Sequence, residues 1–299
     1  MRVLVTGGCG FAGRHAAAAL RAAGHEPVAG DVREEADVRL DLCERASVEA
    51  ALAEARPDAV LHLGGLAFVP QAWADPQLAF AVNTVGTLNV LDAVRRSGRG
   101  IRVVAVTSAE VYGAGGVEPT DEDAPLRPAN LYGVTKAAAD AGARRYAEHF
   151  GLDVVVARPA NHIGPGQHAS FVTSAFARQL KAIAAGGAEP AMRVGNLDQT
   201  RDFTDVRDVV RAYVLLLEKG QSGEAYNIAG GCFTTIREVL EGLMDVAGVR
   251  PRVEVDPALF RPTDRPPLLD VSRIWRDAGW RAEIPLAQSL RDLYAALPG

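Results

Sequence analysis

The feature that most constrains the fold of this chain is the alternation of short apolar runs with longer helical stretches over its first 160 residues. The apolar runs are continuous, which is typical of strands in a parallel sheet covered by helices on both faces. The predicted strands are Arg2–Thr6, Pro27–Asp31, Ala59–Leu63, Val103–Thr107 and Val154–Arg158. Alternation of this length favours right-handed crossover units, so we predict an α/β fold with a doubly wound parallel sheet.

Helical spacing separates these strands and becomes less regular after residue 160. The helices predicted between the strands are Phe11–Ala23, Ser47–Glu54, Pro76–Ser97 and Asn130–Phe150. Those predicted later in the chain are near Ser170–Ala185, Val206–Glu218, Ile236–Val246 and Leu286–Leu297. We therefore expect a first domain over residues 1–160 and a smaller mixed α/β region over 161–299, with about 199–230 returning to the first domain. Without a flexible linker, the two parts are expected to enclose a cleft.

Three glycines, Gly7, Gly10 and Gly13, lie between the first predicted strand and the first predicted helix. Glycine permits a tight turn and a close approach of the backbone to an anion, which the N–H groups and the positive helix end then face. Phe11 and Ala12, between Gly10 and Gly13, are expected to contact the same cofactor. An ordinary strand–helix turn is the alternative, but Asp31 at the end of the second strand favours a Rossmann domain that binds a dinucleotide.

The identity of the dinucleotide depends on the residues after the second strand. Asp31 is suited to accept both ribose hydroxyls of an adenosine, and its charge would repel a 2′-phosphate, which favours NAD. Arg33 would neutralise this charge and admit NADP, so NADP stays open. Asp41 and Leu42 are placed either to contact adenine or simply to end a third short strand. The small residues of Leu63-Gly64-Gly65 would let the cofactor lie close to the sheet.

Tyr132 and Lys136 lie four residues apart, on one face of a predicted helix. With three lysines in 299 residues, this spacing is seldom expected by chance. An ammonium beside a phenol is expected to lower the phenol pKa from about 10 toward neutrality. Such a tyrosine can exchange the proton that accompanies hydride transfer.

Ser108 and Glu110 follow the strand that ends near residue 107. In open α/β sheets, ligands bind at the carboxyl ends of the strands. Ser108 is thus expected to hydrogen-bond a substrate carbonyl and to orient Tyr132, or else to cap a loop. Glu110 is either a carboxylate of the site or a solvated loop charge.

These motifs together resemble the extended short-chain dehydrogenase/reductases that act on sugar nucleotides. The resemblance spans TGGCGFAG, TSAEVYG, YGVTK, RPANHIGPGQ, VGNLDQTRDFTDVRD and LFRPTDRPP. It implies a reductase of a 4-keto-6-deoxy sugar carried on GDP, using NAD(P)H with Tyr132 as the acid. A 4-epimerase or 4,6-dehydratase with tightly bound NAD is the alternative within the family. A non-catalytic dinucleotide sensor is the alternative outside it, and the Tyr132/Lys136 pair argues against that.

The resemblance also implies roles for further residues. Lys136 would hold the nicotinamide ribose and His162 would contact the cofactor. Asn161 would contact the substrate near its diphosphate, and Arg201 and Arg261 would clamp the phosphates. The chain departs from the family pattern at Ala160 and at Leu63-Gly64-Gly65, which loosens the expected nicotinamide pocket.

Charge and composition narrow the class of partner. The net charge of −5 argues against a general nucleic-acid partner. No run of apolar residues is long enough for a membrane helix, and the three cysteines lack metal-binding spacing. We therefore expect a cytoplasmic protein without a metal site. The family implies a homodimer. The Ala- and Val-rich faces of Pro76–Ser97 and Asn130–Phe150 either pair with a second copy as a four-helix bundle or pack only internally.

Overall fold

The core of the computed structural model, which describes residues 1–116, 118–260 and 266–298, is a sheet of seven parallel strands. In chain order, the strands of the protein are β1 (Arg2–Thr6), β2 (Glu26–Asp31), β3 (Val38–Arg39), β4 (Ala59–His62), β5 (Arg102–Val106), β6 (Val154–Pro159), β7 (Asn161–Ile163), β8 (Ala191–Val194), β9 (Thr200–Arg201), β10 (Phe203–Asp205), β11 (Ala225–Ile228), β12 (Thr234–Thr235) and β13 (Arg252–Val255). The seven central strands lie in the order β11-β6-β5-β4-β1-β2-β3. The prediction of a doubly wound parallel sheet is therefore confirmed.

Helices cover both faces of this sheet. They are α1 (Phe11–Ala22), α2 (Arg45–Ala55), α3 (Val69–Ala74), α4 (Pro76–Phe80), α5 (Gly86–Arg96), α6 (Leu131–Phe150), α7 (Val172–Ala184), α8 (Val206–Lys219), α9 (Ile236–Ala247), α10 (Ser272–Ala278) and α11 (Leu286–Ala295). Helices α1 and α8 share one apolar cluster with the sheet, and α2, α5 and α6 share another on the opposite face. Continuous apolar strands are required because β1, β4, β5, β6 and β11 contribute side chains to both clusters.

The order of the strands reverses between β1 and β4, which pair directly from Val3–Ala59 to Thr6–His62. The connections from these two strands leave toward opposite sides of the sheet. At such a switch point, a crevice opens beyond the carboxyl ends of the strands. This is where the glycine turn and Leu63-Gly64-Gly65 begin.

The later part of the chain forms small sheets and a separate apolar cluster. Strands β7 and β10 pair in parallel, as do β8 and β13, whereas β9 and β12 are antiparallel. Helices α7, α9 and α11 surround a cluster centred on Leu180, Met192 and Leu243. Strand β11 pairs with β6 at the edge of the central sheet, and α8 packs on α1. The division of the chain at residue 160 stays a prediction.

The stretch Pro76–Ser97, predicted as one regular helix, contains a π-helical turn over Ala81–Val85. Gly86 follows this turn at a close contact, because a Cβ there would approach Leu42 Cβ to 2.8 Å. Helix α3 was not predicted. Across the described ranges of the chain, the structure has no helix that is both long and apolar enough to cross a bilayer.

Candidate active site

The glycine turn after β1 forms a cradle that side chains would fill. Gly7 has φ of +67°, and a Cβ there would approach Gly64 Cα to 2.9 Å. A Cβ on Gly13 would come within 2.3 Å of the Gly7 carbonyl oxygen. Gly10 stands at the N-cap of α1 without a side-chain partner for the first N–H groups of the helix. Because the turn keeps its backbone bare at a positive helix end, it fits the pyrophosphate of a dinucleotide.

The end of β4 lies beside this turn and extends the same surface. Gly64 donates its N–H to Thr6 Oγ1 at 3.0 Å. A Cβ on Gly65 would lie 3.2 Å from Lys136 Nζ. Leu63 is partly buried against the core. The two glycines therefore allow the end of β4 to pack closely between the glycine turn and the Lys136 ammonium.

The carboxylate of Asp31 is held against the glycine turn. Its oxygens accept the backbone N–H of Cys9 at 3.1 Å and that of Arg33 at 3.3 Å. The Arg33 guanidinium donates to the Cys9 carbonyl at 2.7 Å. Both an anion and a cation thus stand at the end of the turn expected to hold the adenosine.

Asp41 and Leu42 have local structural contacts. Asp41 Oδ1 accepts the Cys43 N–H at 2.9 Å in the turn that leads to α2. Leu42 is buried, and its Cδ1 would be 2.7 Å from a Cβ on Gly64. Leu42 therefore supports the floor of the crevice from below, and contact with adenine stays a prediction for both residues.

His162 and Phe11 lie together at the mouth of the glycine turn. Their rings are stacked, with centroids 6.0 Å apart and planes inclined by 10°. Phe11 also meets His15 edge to face, and His15 contacts the Pro165 carbonyl at 2.8 Å. The segment after β7 is thereby fixed against α1, so the structure brings His162 and the glycine turn together. Ala12 follows Phe11 in the first turn of α1.

Tyr132 and Ser108 meet at the carboxyl end of β5. Tyr132 lies in the first turn of α6, 8% exposed, and the Ser108 side chain lies close enough to its phenol to lower the pKa of that phenol. Ser108 also accepts the Glu110 N–H at 3.2 Å, so it both caps a short 3₁₀ turn and contacts the phenol. The two expectations for Ser108 are therefore compatible.

Lys136 lies one turn further along α6, and its ammonium donates to the Val106 carbonyl at 3.0 Å. The side chain is 6% exposed, and burial lowers its pKa to about 8. The contact with Val106 fixes the ammonium at the end of β5. There, it lies against the bare Cα of Gly65 at the end of β4.

The expected lowering of the Tyr132 pKa by Lys136 is wrong for this structure. Burial raises the pKa of Tyr132 to about 12; the hydrogen bond with Ser108 opposes the rise and the charge of Glu110 adds to it. Lys136 is not among the groups that shift this pKa. The phenol is therefore protonated at neutral pH, which is the form that donates a proton.

Glu110 is tied to the beginning of α6. Its Oε2 accepts a hydrogen bond from Asn130 Nδ2 at 2.7 Å, and Asn130 Oδ1 caps α6 by accepting the Gly133 N–H at 2.9 Å. A Cβ on Gly133 would come within 2.6 Å of the Glu110 carbonyl oxygen. Glu110 is thus held by the residue that caps α6, and its role as a carboxylate of the site stays a prediction.

The expected substrate residues lie on the segments that follow β6. Asn161 is exposed at the start of β7, next to Phe203 of β10. Arg201 is half-buried on β9 and donates to the Thr200 carbonyl at 2.7 Å. Arg261 lies outside the described residues. Asp202, which directly follows Arg201, is buried and accepts hydrogen bonds from the backbone N–H groups of Gly230 and Gly231 at 2.9 and 2.7 Å.

Asn83, in the π turn, was missed by sequence reasoning. It is fully buried, and its Oδ1 accepts the Leu66 N–H at 2.8 Å. Its Nδ2 donates to Thr135 Oγ1 at 2.9 Å, and Thr135 donates to the Tyr132 carbonyl at 2.7 Å. The signal was a run of poor helix formers, Asn83 to Thr87, inside a helical pattern.

Comparisons of the sequence agree with this geometry. The sequence model of the NAD dependent epimerase/dehydratase family matches residues 3–229. The chain is 39% identical to GDP-6-deoxy-D-mannose reductase from Pseudomonas aeruginosa, over 97% of this chain and 95% of that protein. It is 31% identical to UDP-glucose 4-epimerase from Mycolicibacterium smegmatis, over 97% of this chain and 96% of that protein.

Solved structures are similar over nearly the whole chain. RMD from Pseudomonas aeruginosa, complexed with NADPH, has a TM-score of 0.89 at 36% identity, covering 99% of this chain and 98% of that one. UDP-glucose 4-epimerase from Thermus thermophilus, complexed with NAD, has a TM-score of 0.88 at 31% identity with the same coverage. The chain belongs to the NAD-dependent epimerase/dehydratase family, the extended short-chain dehydrogenase/reductases, and is an enzyme of the NAD(P)-dependent oxidoreductase type.

Proposed function

We propose that this enzyme reduces the 4-keto group of GDP-4-keto-6-deoxymannose to give GDP-rhamnose. The observation that carries the proposal is the placement of Ser108 beside the Tyr132 phenol, one helical turn from Lys136 and next to the glycine turn. A protonated phenol paired with a hydroxyl at the carboxyl end of a strand suits the protonation of a carbonyl oxygen. The 39% identity to a GDP-6-deoxy-D-mannose reductase supports this sugar and this nucleotide.

Tyr132, Ser108 and Lys136 have different roles in the proposed reduction. When bound, the dihydronicotinamide supplies a hydride to C4 of the sugar. Tyr132 donates its proton to the C4 oxygen, so that hydride and proton together convert the ketone into an alcohol. Ser108 hydrogen-bonds the same oxygen and orients the phenol. Lys136, whose ammonium is held on the Val106 carbonyl at the end of β5, binds the nicotinamide ribose.

We place the nucleotide sugar over the segments that follow β6. Asn161 contacts the diphosphate region, and Arg201 and Arg261 bind the phosphates through their forked guanidinium donors. Glu110 lies near the sugar, where its carboxylate can accept a hydrogen bond from a sugar hydroxyl.

The direct test supplies GDP-4-keto-6-deoxymannose with NADH or NADPH. We expect the reduced cofactor to be consumed in equal amount to the GDP-rhamnose formed, identified by chromatography and mass spectrometry. Tyr132→Phe is the matched control, because it keeps the aromatic ring but lacks the proposed acid. If micromolar enzyme consumes neither cofactor, the assignment is wrong.

A 4-epimerase or 4,6-dehydratase is the second candidate, supported by the 31% identity to a UDP-glucose 4-epimerase. Such an enzyme would reduce and reoxidise one tightly held NAD in each turnover. The purified protein would then convert its sugar nucleotide without added cofactor. Turnover of GDP-4-keto-6-deoxymannose that depends on added NADH or NADPH distinguishes the reductase.

We infer that the enzyme prefers NADH and also accepts NADPH, and that the residues around the adenosine of the cofactor determine this preference. Asp31 favours the free ribose hydroxyls of NADH, and the Arg33 guanidinium, anchored on the Cys9 carbonyl, offers a cation for the 2′-phosphate of NADPH. The ratio of kcat/KM for the two cofactors measures this preference.

We also infer a homodimer formed by the α4–α5 segment and α6, which pack against each other. These helices carry exposed large apolar side chains, namely Leu78, Phe80, Val85, Val134 and Phe150. A second copy of the chain would cover them by forming a four-helix bundle. Light scattering should give the mass of a dimer for the wild type and of a monomer for Val134→Arg. Val253→Arg, on the exposed face of β13, should stay dimeric.

A further inference from the structure

His62, the last residue of β4, is a buried histidine to which the proposed reaction gives no role. It is 2% exposed. Its Nδ1 lies 2.7 Å from Thr6 Oγ1, and its Nε2 lies 2.9 Å from Thr87 Oγ1. Thr6 immediately precedes the glycine turn, whereas Thr87 stands on α5 just after the π turn. One imidazole therefore contacts the dinucleotide side and the catalytic side of the crevice.

The partners of this imidazole fix the position of its proton. Thr87 donates its hydroxyl proton to the Asn83 carbonyl at 2.7 Å, so Thr87 Oγ1 must accept from a protonated His62 Nε2. Burial lowers the pKa of His62 to about 3, and the charge of Lys136 adds to this. The imidazole is thus neutral, and its Nδ1 accepts the hydroxyl proton of Thr6.

Thr6 Oγ1 also accepts a hydrogen bond, from the Gly64 N–H at 3.0 Å. Every hydrogen bond then points the same way, from the Gly64 N–H through Thr6, His62 and Thr87 to the Asn83 carbonyl. The opposite tautomer would set the lone pair of a bare Nε2 against a lone pair of Thr87 Oγ1, with no proton between them.

A second set of hydrogen bonds starts at the side chain of Asn83 and leads to the backbone of the proposed acid. The Asn83 side chain bonds both backbone groups of Leu66 and donates to Thr135 Oγ1 at 2.9 Å. Thr135 donates to the carbonyl of Tyr132 at 2.7 Å. All these side chains are buried, where an unpaired polar group is costly and a satisfied network holds one geometry.

We propose that His62, as its neutral Nε2–H tautomer, is a positioning residue that couples the dinucleotide turn to the catalytic helix. The proposal has two halves. The catalytic half, the contact of His62 with Thr87, rests on the proposed function because it requires Tyr132 to be the acid. The binding half, the contact of His62 with Thr6 and so with the glycine turn, does not depend on that function. A displacement of about 1 Å at a reacting group can cost about a hundredfold in rate, so such a coupling is visible in kinetics.

Two amide variants separate the halves. In His62→Asn, the amide reaches the place of Nδ1 and keeps the contact with Thr6, but leaves Thr87 without its donor. We expect the Kd of the dinucleotide to stay within about twofold and kcat to fall about tenfold. In His62→Gln, the amide reaches the place of Nε2 and keeps Thr87. Here we expect the Kd to rise about tenfold with a smaller loss of kcat.

Matched variants at the two threonines complete the comparison. Thr87→Val should reproduce the effects of His62→Asn, and Thr6→Val those of His62→Gln. Equal changes of Kd and kcat in both amide variants, or wild-type values in both, would overturn the proposal. Titration calorimetry gives Kd without any sugar substrate, so the binding half is tested even if GDP-4-keto-6-deoxymannose is not turned over.

The tautomer is read directly in the wild-type protein, whether or not the variants fold. Long-range proton–nitrogen correlation spectra of ¹⁵N-labelled protein should show His62 with a protonated Nε2 and a bare Nδ1 from about pH 5 to 8. A protonated Nδ1 or an imidazolium in this range would contradict the assignment.

Discussion

Arg158 donates two parallel hydrogen bonds to Asp140, each 2.8 Å long, and both side chains are completely buried. Asp140 stands one helical turn beyond Lys136 on α6, and its Oδ2 accepts a hydrogen bond from the Thr107 hydroxyl at 3.1 Å. Thr107 is followed directly by Ser108. The pair therefore joins β6, α6 and the end of β5 beneath the three proposed catalytic residues.

Removal of Asp140 should destabilise the protein strongly. Asp140→Ala leaves the Arg158 charge buried without its partner, which costs roughly 3–5 kcal/mol in the free energy of unfolding. Glu148→Ala is the matched control, because the Arg145–Glu148 pair is largely exposed and worth less than about 1 kcal/mol. Urea denaturation followed by circular dichroism measures both. Similar losses in the two variants would mean that the buried pair contributes no more than a surface pair.

A methyl group in the glycine turn should abolish dinucleotide binding. Gly13→Ala places a Cβ 2.3 Å from the Gly7 carbonyl oxygen, so the turn must move away from the position that fits a pyrophosphate. We expect the Kd for NADH and NADPH to rise more than about tenfold, a change of at least about 1.4 kcal/mol. Gly100→Ala, whose Cβ meets nothing within 4 Å, should bind as the wild type does. Unchanged calorimetric binding by Gly13→Ala would exclude this turn as the site.

The buried ammonium of Lys136 should make stability rise with pH. Burial lowers its pKa from 10.5 to about 8. Below pH 8, the amine is protonated in both the folded and unfolded states, and the cost of burying the charge is fully present. Between about pH 8 and 10.5, the unfolded state binds more protons, so the free energy of unfolding increases with pH. Lys136→Met lacks this contribution.

The measurement is the difference in unfolding free energy between wild type and Lys136→Met across this range. We expect the wild type to gain on the order of 3 kcal/mol relative to the variant from pH 8 to 10.5. A constant difference would show that the lysine is solvated in the folded protein.

Sequence reasoning predicted the fold class because the central strands are buried on both faces. Strand β1 begins and ends as predicted, and the continuous apolar residues from Val154 onward form β6. The glycine turn was predictable for a similar reason, since contacts as close as that of Gly13 with Gly7 exclude every other side chain. In each case, the requirement is local to the segment.

What the sequence did not reveal depends on contacts between distant segments. The pKa of Tyr132 was expected to fall because Lys136 is one turn away, yet Lys136 donates to Val106 and burial dominates the phenol. The position of Asn83 depends on a π turn that packs against Leu66 and Thr135. No spacing along the chain indicates how deeply a side chain is buried or which of two acceptors it selects.

Replacement of the phenol should remove the acid without removing the cofactor. Tyr132→Phe keeps a ring of the same shape in the pocket with Ser108 but has no proton to give. We expect kcat to fall about 10²–10⁴-fold, the usual contribution of a positioned acid, with the Kd of the dinucleotide within about twofold. Stopped-flow measurement of hydride transfer separates the chemical step from product release. A variant that keeps more than about a tenth of the wild-type kcat would require another proton donor.

Removal of the Arg33 guanidinium should change the choice of cofactor. Arg33 is anchored on the Cys9 carbonyl, next to the carboxylate of Asp31. Arg33→Ala deletes the cation proposed to face a 2′-phosphate and leaves the negative charge of Asp31 in place. We expect kcat/KM for NADPH to fall about tenfold, while that for NADH, the internal control, changes less than about twofold. Initial rates with each cofactor at saturating sugar nucleotide provide the ratio. Equal losses with both cofactors would show that Arg33 supports the glycine turn and does not read the phosphate.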